Sequence, residues 1–232
     1  MNHVPDPPNE RSAGDVGHAF TKALAASVPV AGGALSVLLD NVLTAPIEKR
    51  KQAWLQDLAG TINELVDTVE EITSERLSND EAFITAALQA TQIALRNHQE
   101  EKLEAPRNAI INSALRNEPD EDLQLQFIRL IDRLTPWHLR LLALLDNPRE
   151  YMQANEIVNP GWGMGGPIAV IEHCFPELRT RTEFCQQLVR ELQVEGLIGQ
   201  GQFLNVTMTG DGMMQNRTVE AGRRFLAFIT NP

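Results

Sequence analysis

Five histidines, two cysteines and one glycine-rich run are the residues of this chain that could take part in catalysis or metal binding. His3, His18, His98, His138 and His173 are scattered along it. None belongs to an H-E-x-x-H pattern or has carboxylates at ligand spacing on both sides, so no metal centre is expected. Cys174 and Cys185 stand apart from any short-spaced Cys/His cluster. They read as two reduced thiols buried in helices. His173 directly precedes Cys174, but neighbouring residues of a helix point about 100° apart, which separates a base from its nucleophile. "GWGMGG" at 161–166 follows no apolar strand and lacks the lysine of a P-loop, so it forms no phosphate cradle. The acidic pairs Glu70-Glu71 and Glu100-Glu101 read as solvated helix faces, and no serine sits in a nucleophile elbow. The expectation is therefore a protein with no enzymatic activity and no cofactor.

Arginines near the C-terminus are better suited to recognition. Arg179 and Arg181 precede a candidate helix, Arg190 lies within it, Arg217 follows it in a turn, and Arg223 is next to Arg224. Each has the chemistry to position a phosphate. The same helix carries Glu183, Glu191 and Glu195, more acid than a typical groove-reading helix exposes.

Composition limits the scaffold that holds these side chains. Among 232 residues, 43% are apolar but only 5% aromatic, so the core is built from Leu, Ile, Val and Ala. Such a core favours helix over sheet. The net charge is −11, of which −9 falls on residues 1–150 and −2 on 151–232. A chain so acidic is repelled by phosphate backbones and anionic lipid unless a local basic patch overrides the average.

Residues 1–17 hold no basic region followed by an apolar core, so they read as a disordered lead-in with no secretory signal, in a cytoplasmic protein. The 17 uncharged residues from Ala23 to Leu39 follow. As a straight helix they would span about 26 Å, short of a hydrocarbon core of about 30 Å. Pro29 and the Gly32-Gly33 pair interrupt that helix, and Asp40 follows Leu38 and Leu39. The segment reads as a core helix pair hinged at Gly32-Gly33. The alternative is an output element that meets a membrane or a second copy on activation.

From Lys49 to Arg76, the residues Leu55, Leu58, Ile62, Leu65, Val69 and Ile72 recur at alternating spacings of three and four, an a/d seam on one long helix. Two readings stay open, a self-association seam and a helix packed within its own bundle. "SNDE" at 78–81 fits a capping box, Pro106 ends or kinks the next element, and Pro119 with its acids opens another. Thr135 and Pro136 start a helix that "DNP" stops. Residues 18–147 thus read as a helical bundle, 148–166 as a Pro/Gly-rich linker or loop, and 167–232 as a separate module.

That module runs helix, turn, helix, strand-like "QFLNVTMTG", a tip at "GDGMMQNR", and a closing strand or helix. This is the order of a winged helix. "LVRELQVEGLI" followed by "TVEAGRRFLAFI" resembles the end of many bacterial winged-helix modules, through Gly196, Leu197, Ile198, Thr218, Gly222 and Phe225. More distantly, the chain resembles the abortive-infection alpha family associated with phage defence. The resemblance implies a scaffold and transfers no catalytic residue. The fold expected is mainly α, a helical bundle followed by a small winged-helix-like α+β domain. The function expected is that of a non-enzymatic interaction or effector protein with a protein partner or a homo-oligomeric state. The alternative is a DNA-binding regulator.

Overall fold

The computed structural model describes residues 45–115 and 120–231, in two compact units that divide between Ile131 and Asp132. The break falls within a helix, ahead of the Pro/Gly-rich stretch at 148–166.

In the first unit, α1 (Ala45–Thr68) buries Trp54, Leu58 and Ile62 along one face, as the three-four spacing requires. The expected single helix to Arg76 stops short, at Thr68. Ile72 turns back into the core, with its N–H on the Val69 carbonyl at 2.9 Å, and helix resumes only at α2 (Ser74–Ser78). Thr73 caps α2 by accepting from the Arg76 N–H at 3.2 Å. The expected cap at Ser78 is replaced by Asp80, whose carboxylate accepts from the Phe83 N–H at 3.2 Å and opens α3 (Glu81–Arg96).

The fourth helix, α4 (Glu101–Leu115), continues through Pro106 and does not end there. α3 packs mainly against α4, with Ala87, Ala90 and Ala94 small enough to let the backbones approach around Phe83 and Ile110. Burying a side chain the size of Phe83 contributes about 1.5–3 kcal/mol. Buried Lys102 donates its ammonium to the Ile131 carbonyl in α5 (Glu121–Arg133), placing a cation near the negative end of that helix. Asp120 caps α5, accepting from Leu123 N–H at 3.1 Å; Pro119 lies outside the described residues.

The second unit opens with α6 (Pro136–Asp146), preceded by Thr135 in extended geometry with Pro136 in the first turn, as expected. Asn147 ends α6 and also caps α7 (Pro148–Ala154) through the Glu150 N–H at 3.3 Å. The expected linker is therefore helical over its first seven residues. β1 (Met164–Gly165), α8 (Pro167–Cys174), a 3-10 turn (Pro176–Leu178) and α9 (Thr182–Val194) follow. α9 stops at Gly196 (φ 70°), where Leu197 N–H reaches back to the Leu192 carbonyl at 3.0 Å.

Leu197–Gly199 then pairs antiparallel with Arg217–Val219, through Gly199 N–H to Arg217 C=O at 2.8 Å and Val219 N–H to Leu197 C=O at 3.1 Å. Most of "QFLNVTMTG" is not strand. Only β2 (Met208–Thr209) is, and it pairs antiparallel with β1 in the register Met164 to Thr209. The expected hairpin tip is the short helix α10 (Gly210–Met213), and the chain closes in α11 (Glu220–Ile229). α6 packs against both α9 and α11, around Leu141, Leu142, Leu188, Leu192, Phe225 and Phe228. The described chain is thus mainly helical, with one two-stranded sheet.

Candidate docking surface on the C-terminal unit

α9 is amphipathic: Cys185, Leu188, Val189 and Leu192 are buried, while Glu183, Gln187, Arg190 and Val194 face outward. Val194, an apolar side chain, is 83% exposed. Two of the acids that sequence placed on this helix have partners within the unit. Glu191 accepts from Gln187 at 2.7 Å and lies 2.7 Å from Nε2 of buried His138 on α6. Thr135 N–H donates to His138 Nδ1 at 3.1 Å, so Nδ1 is the acceptor and Nε2 carries the hydrogen given to Glu191. The Gln187 hydrogen bond, followed by that of His138, holds the Glu191 carboxyl below the usual carboxylate range. Glu195 pairs with Arg133 and is largely covered. Glu183 is exposed and Glu191 keeps 45% of its side chain exposed, so both acids reach the open face.

A groove of about 360 Å³ runs beside this face, between α9 and residues 201–206. Gln193 builds its wall: the side-chain amide donates to the carbonyls of Gly199 at 3.0 Å and Gly201 at 2.8 Å. Gln200 returns a bond to the Gln193 carbonyl at 2.6 Å. Gln186 and Arg190 line the groove without hydrogen-bonding any described residue, opposite Phe203, Asn205 and Val206. Sequence reading missed Gln186 and Val206 because only the fold of the 199–206 loop brings them together.

These arginines do not act as one set. Arg217 is structural: Nη2 donates to the Gly212 carbonyl at 2.7 Å, the guanidinium lies 5.3 Å from the Phe203 ring centre, and its Nε is buried unpaired. Burial pushes its pKa down, a poor setting for a phosphate contact. Arg223 is held locally by Glu220 at 2.8 Å and the Thr218 carbonyl at 3.3 Å. Arg179, bonded to the Glu172 carbonyl at 3.1 Å, and Arg181, 4.0 Å over the Phe184 ring, remain exposed before α9. The open cationic group is therefore Arg179, Arg181 and Arg190.

The expected self-association seam faces its own core. Leu58, Ile62 and Ile72 are buried there, with Leu55, Leu65 and Val69 half-buried against the same cluster. The segment containing Pro29, Gly32, Gly33, Leu38 and Leu39 lies outside the described residues. Among the described residues, no helix is long and apolar enough to cross a membrane, and no cluster of His, Cys, Asp and Glu could hold a metal.

His173 is engaged away from Cys174. His173 Nε2 bonds the Val158 carbonyl at 2.8 Å and its ring meets Trp162 edge-on at 5.3 Å. Burial raises both thiols, Cys174 and Cys185, to about 11, so neither is a ready thiolate. The glycine-rich run docks two loops: a Cβ on Gly210 would lie 1.9 Å from the Trp162 carbonyl oxygen. Compared with known proteins, the chain matches no family model, no curated protein and no solved structure.

Proposed function

We propose that this is a non-enzymatic interaction or effector protein whose C-terminal unit is a winged-helix-like docking module for a protein partner. The helix pair α8 and α9, followed by the antiparallel pairing of 197–199 with 217–219, supports the winged-helix reading. The observation that carries the function is the outer face of α9 with its groove. Gln186 and Arg190 have hydrogen-bonding capacity to spare there, and Val194 and Val206 are exposed apolar contacts. Such a mixed patch suits a protein surface. Residues 132–230 carry nine arginines against eleven carboxylates, a poor match for a phosphate backbone. The resemblance to abortive-infection proteins gives this reading its setting in bacterial phage defence.

A second reading, duplex DNA binding, is favoured by one observation: Glu191 and Glu195 are engaged within the unit, while α9 carries Arg190 and the unengaged Gln186 amide after Arg179 and Arg181. A photo-crosslinker at Gln187, with fluorescence anisotropy on labelled duplex DNA in parallel, separates the two. The docking reading expects a discrete protein adduct in cells, lost on Arg190→Glu, with no duplex binding at physiological salt. Salt-sensitive duplex binding without a protein adduct would replace it with the second reading.

A further inference from the structure

Three helices of the first unit, α1, α3 and α4, meet around a cleft of about 330 Å³, the small end of ligand-site sizes. It is separate from the docking surface. Its apolar side is Trp54 and Leu103, with Ala53 and Ala94 leaving room between them. The Trp54 indole is fixed by a hydrogen bond from Nε1 to Thr91 Oγ1 at 3.3 Å.

The polar side is short of partners. Among the described residues Arg107 meets only Asp57, at 3.5 Å, well beyond the 2.7–2.9 Å of a strong charge-assisted bond, and its Nε is buried unpaired. The side chains of Arg50 and Glu104 line the same cleft with no partner among the described residues. Two guanidinium groups and two carboxylates line the cleft, so these four charges cancel. A simple anion or a simple cation would upset that balance, whereas a zwitterion preserves it.

We propose that this cleft binds an apolar α-amino acid. The carboxylate meets Arg50 and Arg107, the ammonium meets Glu104, and the side chain lies against Trp54 and Leu103. Such a site gives the first unit a small-molecule input, independent of what the second unit docks.

Isothermal titration of the full chain with L-phenylalanine and L-leucine tests this. At least one of the two is expected to bind, with 3-phenylpropionate (no amine), phenethylamine (no carboxylate) and glycine (no side chain) each weaker by about tenfold or more. Arg50→Ala and Glu104→Gln alter exposed, unpartnered side chains, so melting should be unchanged while affinity for the amino acid falls about tenfold. The proposal is overturned if neither amino acid binds at concentrations up to about 10 mM. It is equally overturned if 3-phenylpropionate binds as tightly as phenylalanine, or if both variants bind like the wild type.

Discussion

His138 Nε2 and the Glu191 carboxylate lie 2.7 Å apart, joining the first turn of α6 to the outer half of α9. Removing the acceptor leaves a buried N–H unpaired, so Glu191→Ala should cost about 1–3 kcal/mol in urea unfolding. Glu191→Gln keeps an acceptor and should cost less. The pH dependence has a defined sign, because the folded carboxyl is held low by Gln187 first and His138 second. Its stabilising effect is complete above the unfolded value, about 4.3, and fades as pH falls through the folded one. The Gln variant should lose that acid-side decline; urea midpoints that fall equally in both proteins would contradict the assignment.

Gly222 on α11 and Leu197 after α9 come together so closely that a Cβ on the glycine would lie 2.0 Å from the Leu197 carbonyl oxygen. Backbone cannot yield as a flexible side chain does. Gly222→Ala should therefore destabilise the second unit by about 3 kcal/mol, at the upper end of overpacking costs. Gly60 is the control: it lies within α1 with nothing near its missing Cβ. Gly60→Ala should stabilise by about 0.5–1 kcal/mol. Thermal melts of the two variants should move in opposite directions.

Sequence made some of this legible and hid the rest for physical reasons. Gly196, Leu197, Thr218, Gly222 and Phe225 were picked out as scaffold by the resemblance to winged-helix modules, and of these Leu197, Thr218 and Gly222 meet at the root of the 197–219 pairing. The a/d periodicity carried past Thr68 because no glycine or proline marks the break; the tertiary burial of Ile72 overrides the helical pattern. Pro148 read as a stop, yet a proline equally fits a first turn, which is its place in α7. β1 and β2 are two residues each, too short to show alternation. The split of the arginines into Arg217, which holds a loop, and Arg190, which faces outward, depends on neighbours distant in the chain.

The α1 seam makes a prediction that separates core from interface. Leu58 is fully covered within its own unit, so Leu58→Ala should cost about 2–5 kcal/mol. Half-buried Leu55 should cost less. Light scattering should show no change in oligomeric state for either variant at concentrations where the protein stays folded. A dimer that dissociates on Leu55→Ala without loss of melting temperature would restore the self-association reading.

Arg217 and Arg190 differ in what their loss removes. Arg217→Ala takes away the bond to the Gly212 carbonyl and the packing over Phe203, and should lower stability by about 1–3 kcal/mol. Replacing Arg179, Arg181 and Arg190 together should change stability far less, since each is exposed. If the unit docks a protein, this triple variant loses the crosslink from Gln187 while its melt stays intact. If the unit binds duplex DNA, the slope of log affinity against log salt should shrink by about one for each phosphate contact removed. A triple variant that keeps both the crosslink and the salt slope would move recognition away from α9. The groove lined by Asn205 and Val206 would then be the next surface to alter.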